Sequence, residues 1–374
     1  MKRAIIVTAA KKGMRAYELL KDIYSIVRFV DNDEKKWGNF IEDKEIVSFS
    51  AAVSSYNKNK DCFIFPAGLN HTLRYELYMQ LISLGVAKED IFIVLENENG
   101  TARIEEMRKI NSLPYLEIPL VEHCNLNCSG CSHFSPLAKE TFYDFNVFKK
   151  DIYRLKELID TICTIRILGG EPLLHPQIID FIISVRTVYP EAEIKIVTNG
   201  ILLNSMSEDF WEAVKENNVV IQITLYPALY NSEEKLIAVL QDKNVLYNIH
   251  RTSRFRKPIR VEERNVCGNL PKDWTRCHCT NLYNGKFSPC AMVMFMPLFN
   301  DRFDCDYSCE GVYDLYNEEL TGEKMIDMLG RSIPFCNHCE LIMNDLEMEN
   351  ENGTHYHMWK QLHIGEEKIE DWIG

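Results

Sequence analysis

The stretch Tyr115–Cys131 reads YLEIPLVEHCNLNCSGC, an apolar run followed directly by three cysteines. The run Tyr115–Val121 is typical of a buried strand, and Cys124, Cys128 and Cys131 follow it with C-x3-C-x2-C spacing. Three thiolates in one short loop can bind three irons of a [4Fe-4S] cluster and leave the fourth iron open for a ligand that does not come from the protein. The stretch therefore predicts a strand that ends at an iron–sulfur site.

A second motif, LGGEP at Leu168–Pro172, follows another strand-like run, Ile162–Leu168. The two motifs together resemble the signature of the radical S-adenosylmethionine (SAM) enzymes. The resemblance implies that Cys124, Cys128 and Cys131 bind the cluster and that SAM binds the open iron through its methionyl amino and carboxylate groups. It also implies that one-electron reduction releases a 5'-deoxyadenosyl radical, which abstracts hydrogen from a substrate.

The same resemblance assigns contacts with the SAM amino group to Gly169, Gly170 and Glu171. It also places Asn199, which ends the next strand-like run, near the cofactor. The sequence departs from the family at Gly130, before the third cysteine, where the residue is often aromatic. That departure concerns packing against the adenine of SAM and not the cluster itself.

Zinc is the alternative for the cysteine triplet. A zinc site needs four ligands, usually as two separated pairs or with histidines at defined spacing. His123 and His133 flank the loop, but neither provides such a pairing. The triplet therefore favours iron and sulfide over zinc.

Residues 1–112 alternate strand-like and helix-like segments, which predicts a parallel sheet with helices on its faces. The region resembles a small Rossmann-like domain at the N-terminus of some sugar-modifying and surface-polysaccharide enzymes, with Phe29–Trp37 close to that domain's second strand. A dinucleotide-binding fold needs G-x-G-x-x-G, whereas Val7–Gly13 has a single glycine, so nicotinamide binding is not expected. Asp31 is a candidate for a ribose hydroxyl or a plain turn residue. We interpret 1–112 as a docking or nucleotide-sugar recognition module.

Residues 113–262 repeat strand and helix five more times, and the family resemblance implies a partial (β/α)6 barrel. Sites of such barrels lie at the carboxyl ends of strands. By position alone, Thr224 and His250 are candidates for contacts with the SAM ribose or the substrate. A basic run follows the fifth strand, and its Arg254 and Arg256 predict an anionic substrate. The alternative is a solvated loop balanced by neighbouring glutamates.

Eight of the thirteen cysteines lie in 263–345, a concentration that resembles the auxiliary-cluster extensions of radical SAM enzymes, of the shorter Twitch-like form rather than the full SPASM form. We predict a second [4Fe-4S] cluster there. Its expected ligands are Cys279, Cys290, Cys336 and Cys339, with Cys277 as the main competitor for the first place. A zinc ribbon is the serious alternative, because paired thiolates bind zinc readily.

The formal net charge of −13 argues against general binding to nucleic acids, since phosphate contacts need clustered Lys and Arg. The last region, 346–374, contributes to this acidity and is expected to be a solvated acidic tail. No run approaches the roughly 18 apolar residues of a membrane span. The N-terminus does not fit a signal peptide, so the thiols indicate a reducing cytoplasm. The family resemblance implies a flavodoxin or ferredoxin as electron donor.

The sequence thus predicts a radical SAM enzyme that abstracts hydrogen from a small carbohydrate-like or nucleotide-linked anionic substrate, with the auxiliary cluster accepting an electron. Within enzymes, the alternative is a maturase that modifies peptides. From another class, the alternative is an iron–sulfur sensor that binds SAM without turnover. A sensor is disfavoured because the triplet and the LGGEP motif are both intact.

Overall fold

A computed structural model of the chain describes residues 2–66, 69, 71–96, 100–107, 111–263, 280–339 and 356–373. The chain divides into two units, Met1–Pro114 and Tyr115–Gly374. Within the described residues, no helix has both the length and the apolar character that crossing a membrane requires.

The first unit is built on a seven-stranded sheet whose central strands are parallel. The strand order is β3-β4-β2-β1-β5-β6-β7, and the two edge strands, β3 and β7, are antiparallel to their neighbours. The strands are β1 (Arg3–Val7), β2 (Ser25–Val30), β3 (Phe40–Ile41), β4 (Lys44–Val47), β5 (Asp61–Pro66), β6 (Ile91–Glu96) and β7 (Ala102–Glu106). The helices are α1 (Lys11–Leu20), α2 (Phe49–Ser54) and α3 (His71–Ser83).

Both faces of this sheet are buried. Ala4 and Ile6 of β1 belong to the hydrophobic cluster on the α1 face, whereas Ile5 and Val7 belong to the cluster that includes Phe49 of α2. A strand buried on both faces is apolar at successive positions, which is why Ala4–Val7 of β1 reads as a continuous hydrophobic run. The parallel sheet predicted for 1–112 is confirmed.

The second unit contains an eight-stranded sheet in the order β12-β11-β10-β9-β8-β14-β15-β16. Its first five strands alternate with helices along the chain, and β9, β10, β11 and β12 pair in parallel with one another. These strands are β8 (Ser112–Val121), β9 (Thr161–Gly169), β10 (Glu193–Thr198), β11 (Val219–Leu225) and β12 (Leu246–Arg251). The helices between them are α4 (Phe145–Leu158), α5 (Ile178–Val188), α6 (Glu208–Glu216) and α7 (Glu233–Asp242). The α/β fold class predicted from the alternation is therefore confirmed in both units.

The cysteine-rich region continues this sheet. Asn284 and Gly285 both have positive φ, 51° and 75°, and make the tight turn of the β14–β15 hairpin. Strand β14 then runs parallel to β8. The elements here are β13 (Arg254–Arg256), β14 (Asn281–Tyr283), β15 (Lys286–Ser288), α8 (Ala291–Phe303), β16 (Tyr313–Asp314), α9 (Gly322–Leu329) and β17 (Tyr356–Met358).

A buried carboxylate ties this hairpin to the parallel strands. Asp151 of α4 accepts hydrogen bonds from the Gly285 backbone N–H at 2.6 Å and from the hydroxyls of Tyr316, at 2.7 Å, and Tyr143. These contacts fix the turn against α4, so the hairpin and the parallel strands form one packed body.

Candidate functional site

The cysteine loop after β8 borders a cavity of about 270 Å³. Cys124, Cys128 and Cys131 all line it, together with the end of β9 at Gly169 and Gly170. The carboxyl ends of neighbouring parallel strands meet at one edge of a sheet, which is why motifs so far apart in sequence share this cavity. The two motifs on which the sequence interpretation depends therefore lie together.

The two glycines are required by a close approach of backbones. The Gly170 N–H donates to the Val121 carbonyl at 2.6 Å, and a Cβ on Gly170 would lie 1.9 Å from the His123 carbonyl oxygen. Gly169 has φ +135°, and a Cβ there would lie 2.3 Å from the Val121 oxygen. Any side chain at these positions would push the β9 end away from the cysteine loop.

The three thiols all line the same cavity. Within the described part of the chain, no three His, Cys, Asp or Glu side chains are close enough to hold a single metal ion. A zinc ion would need its sulfurs at about 2.3 Å from one centre. Three thiols bordering one cavity are the donor set of a [4Fe-4S] cluster with one open iron, so the residues present fit a cluster.

Burial keeps two of these thiols, those of Cys124 and Cys128, protonated in the absence of metal. It raises the pKa of Cys124 to about 12, with a smaller contribution from Glu171, and it raises the pKa of Cys128 as well. A thiolate is the form that binds metal, so the positive charge of iron would have to offset this burial.

Glu171 holds the end of β10, which forms part of the cavity wall, through hydrogen bonds. Its fully buried carboxylate accepts hydrogen bonds from Thr198 Oγ1 at 2.7 Å, the Asn199 N–H at 3.0 Å and the Leu173 N–H at 3.1 Å. Burial raises its pKa to about 7, and these three hydrogen bonds oppose that rise. The two glycines of the motif face the cavity, whereas Glu171 orients the β10 end.

Asn199 connects that end to the cysteine loop. Its Nδ2 donates to Asn125 Oδ1 at 2.7 Å and lies 3.8 Å from Cys124 Sγ. Asn199 lines the cavity, as does Thr224 of β11. His250 is paired with Thr224 in the sheet register, but it is exposed and does not line the cavity.

A polar group of side chains at the cavity was missed by the sequence interpretation. Arg166 Nη1 contacts the Tyr115 hydroxyl at 2.5 Å and Glu117 Oε1 at 3.5 Å, and the Tyr115 hydroxyl donates to Glu117 at 2.6 Å. Arg166 Nε, His133 Nε2 and Ser135 Oγ are buried without a hydrogen-bond partner, and their residues line the cavity. The available signal was a charged residue within each of two otherwise apolar strands.

The C-terminal segment (residues 356–373) packs on the cysteine loop. The Ser129 N–H donates to the Lys360 carbonyl at 2.9 Å, and the Leu362 N–H donates to the Asn127 carbonyl at 2.8 Å. Trp372 is fully buried, and its indole donates to the Cys131 carbonyl at 3.0 Å. The expectation of a solvated tail is therefore wrong for these residues, because their aromatic and apolar side chains outweigh the acidic composition.

Residues 118–257 match the family model described as Radical SAM superfamily. This stretch is a radical SAM domain. Among curated relatives, the GTP 3',8-cyclase of Crocosphaera subtropica is 30% identical over 113 residues, which are 28% of this chain and 32% of the cyclase. The GTP 3',8-cyclase of Alkaliphilus oremlandii is 32% identical over 132 residues, which are 33% of this chain and 38% of the cyclase. The chain thus matches about a third of the length of these relatives.

Two solved structures are also similar to part of this chain. BtrN in complex with AdoMet and 2-DOIA has 17% sequence identity and a TM-score of 0.38, and the match covers 60% of this chain and 84% of that one. SuiB of Streptococcus suis bound to S-adenosylmethionine has 18% identity and a TM-score of 0.29, with 38% and 33% covered.

The basic run after the radical SAM domain's fifth strand lies at the edge of the cavity. Phe255 of β13 lines the cavity, and its ring centroid is 5.6 Å from that of Tyr226, which also lines it. Arg254 is exposed, and the side chain of Arg256 lies outside the described structure. The cavity therefore offers aromatic faces here.

The predicted auxiliary ligands are described only in part. Cys279 and its competitor Cys277 lie outside the described residues. Cys290 precedes α8, and Cys336 and Cys339 lie in and after a short 3₁₀ helix. These described thiols do not form a group of three that could hold one metal ion.

Proposed function

We propose that this chain is a radical SAM enzyme whose cluster is held by Cys124, Cys128 and Cys131. The observation that carries the proposal is that these three thiols and the Gly169–Gly170 backbone line one cavity. When bound, the cluster and SAM together supply a one-electron route to an adenosyl radical that abstracts hydrogen.

The chain's own residues would bind and orient SAM. The Gly169–Gly170 backbone offers polar groups to the SAM amino group, and Asn199 holds the neighbouring strand end in place through Glu171. Thr224 lines the cavity where a ribose hydroxyl could reach it. Gly130 has φ +75°, a conformation that disfavours an aromatic side chain there, so we assign stacking on adenine to Tyr226 or Phe255 instead.

The polar side chains of the cavity support a hydroxyl-bearing, carbohydrate-like substrate. Glu117 and Arg166 carry opposite charges, so the pair adds no net charge to the cavity. Arg166 Nε, His133 Nε2 and Ser135 Oγ need partners, because a buried polar atom without one costs about 1–3 kcal/mol. Substrate hydroxyls could supply those partners.

A nucleotide-linked substrate is the second candidate. The curated relatives are named as cyclases of GTP, and the exposed Arg254 follows the cavity rim. In this version the anionic part of the substrate lies at the rim and its sugar part lies against Glu117 and Arg166. We place the enzyme in a reducing cytoplasm with flavodoxin or ferredoxin as donor.

Counting iron tests the proposal. The protein is purified without oxygen, reconstituted with iron and sulfide, and compared with a Cys124→Ala/Cys128→Ala/Cys131→Ala variant and with Cys163→Ala, a matched buried thiol elsewhere in the sheet. We expect the triple variant to lose about four irons and all reductive cleavage of SAM, and Cys163→Ala to lose neither. Unchanged iron in the triple variant would overturn the proposal.

The same count tests the auxiliary cluster, which we propose at Cys279, Cys290, Cys336 and Cys339. About eight irons in the wild type and about four in the triple variant would support it. About four falling to none would leave a single cluster and make the C-terminal cysteines a zinc or thiol site. Binding of SAM by the reduced protein without cleavage would instead indicate a sensor.

A further inference from the structure

The C-terminal segment places an indole N–H on one of the three thiols. Gln361 makes an antiparallel bridge with Cys128, and the backbone hydrogen bonds of Ser129 and Leu362 lie on either side of it. Within this pairing, Trp359 Nε1 lies 3.1 Å from Cys128 Sγ. An indole N–H can only donate, so the sulfur is the acceptor.

The position of this donor is fixed from two sides. The Trp359 ring stacks on Tyr226, with centroids 5.9 Å apart and planes inclined by 24°. The backbone pairing at Gln361 fixes the main chain two residues further on. Because both constraints act on one short stretch, the N–H is held at the sulfur before any metal binds. The contact of Asn199 Nδ2 with Cys124 Sγ is longer, at 3.8 Å.

We propose that Trp359 is a positioning residue that sets the reduction potential of the cluster, through its hydrogen bond to the Cys128 sulfur. The inference rests on the proposed function, since it requires a cluster at Cys124, Cys128 and Cys131. Reduction adds negative charge to the cluster and its thiolates, so an N–H donor to sulfur stabilises the reduced state more than the oxidised state. The hydrogen bond therefore raises the midpoint potential and eases electron transfer from the donor protein.

The decisive variant is Trp359→Phe, which retains an aromatic ring against Tyr226 and removes the N–H. The measurement is an EPR-monitored redox titration of the reconstituted protein, together with its iron content. We expect the same iron content as in the wild type and a lower midpoint potential.

Trp372→Phe is the matched control. Its indole also donates within the cysteine loop, but to the Cys131 carbonyl and not to a thiol. A purely structural role for the segment would shift the potential in both variants alike, and that result would overturn the inference. We expect the shift in Trp359→Phe alone.

The outcomes separate the inference from the proposed function. A wild type that binds no cluster at the triplet refutes the proposed function and the inference with it. A cluster of equal potential in the wild type and in Trp359→Phe refutes the inference and leaves the proposed function intact. If Trp359→Phe does not retain iron, benzothienylalanine at position 359 keeps the bicyclic shape and replaces the N–H with sulfur. An unchanged potential in that protein likewise refutes the inference.

Discussion

In each sheet, a glycine allows a close backbone contact at the end of the first strand, but the side chains around the two glycines differ. In the first unit, a Cβ on Gly13 would lie 2.0 Å from the Thr8 carbonyl oxygen, so α1 packs closely on the end of β1. In the second unit, Gly170 allows an equally close approach to His123 after β8. Glycine thus marks a close approach in both sheets, and it does not by itself indicate a cofactor.

The side chains around each glycine make the difference. In the first unit, Asp31 accepts from the Ala9 N–H at 2.8 Å, the Asp33 N–H at 2.9 Å and Lys36 Nζ at 2.9 Å, so the chain itself uses its carboxylate. This contact pattern fits the turn interpretation of Asp31 better than a ribose contact. In the second unit, three thiols and the buried polar atoms near Arg166 line an open cavity. Function follows from the groups that the fold leaves available.

The largest effect is expected when the two glycines are compared directly. Gly170→Ala forces a methyl group onto the His123 backbone, so the cysteine loop must move, and we expect loss of the cluster at the triplet. Gly13→Ala should destabilise the first unit by a similar overpacking mechanism, typically 1–3 kcal/mol, and leave the iron content unchanged. Iron analysis and chemical unfolding measure both. Equal iron content in the two variants would show that the close contact at Gly170 is not needed to hold the cluster.

A second pair of variants compares two arginines that contact carboxylates across strands. Arg3 makes a bidentate pair with Asp61 at 2.6 and 2.9 Å, whereas Arg166 lies 3.5 Å from Glu117 at the cavity. We expect Arg166→Met to lower substrate-dependent hydrogen abstraction about 100-fold or more, because it removes the Nε donor proposed for a substrate hydroxyl and leaves buried Glu117 without its cationic partner, at about 3–5 kcal/mol. Arg3→Met should lower stability and leave turnover intact. Transfer of deuterium from substrate into 5'-deoxyadenosine reports the difference.

The sequence predicted the parallel sheets and the meeting of its two motifs well, for a physical reason. Strand–helix alternation is a local sequence pattern that predicts a parallel sheet. The carboxyl ends of neighbouring parallel strands meet at one edge of such a sheet, so Cys124 and Gly170 could be placed together from sequence. The packing of Trp359 and Trp372 on the cysteine loop could not, because it joins residues more than 200 positions apart whose surroundings are acidic. The contact between Arg166 and Glu117 was missed because a charge within an apolar strand has no periodic signature.

Two buried carboxylates should respond to pH in opposite directions. Burial favours a higher pKa for Asp61, but hydrogen bonds from Arg3 and the Asn57 N–H outweigh it and lower the pKa. Its stabilisation is therefore present above pH 3.8 and is lost as the pH falls further. The pKa of Glu171 is raised from 4.5 to about 7, so its contribution is complete below pH 4.5 and is lost as the pH rises to about 7.

Urea unfolding of the cluster-free protein between pH 4.5 and 7.5 tests this contrast. In the wild type, Glu171 should make the free energy of unfolding fall by up to about 3 kcal/mol across that window. Glu171→Gln should flatten the curve, whereas Asp61→Asn should lower it at every pH in the window by about 1.5–3 kcal/mol. A Glu171→Gln protein with the wild-type slope would show that another group titrates there.

The smallest effect is expected at the cavity rim, where Arg254 is exposed and Phe255 faces inward. An exposed charge attracts an anionic substrate over a distance, and salt screens this attraction within about 10 Å at 0.1 M ionic strength. Arg254→Ala should therefore raise the KM about two- to threefold at low salt and leave it unchanged at high salt. Lys235→Ala, a change of the same charge on α7, is the control and should have no such effect. A salt-independent rise of tenfold or more would mean instead that Arg254 contacts the anionic group of the substrate directly.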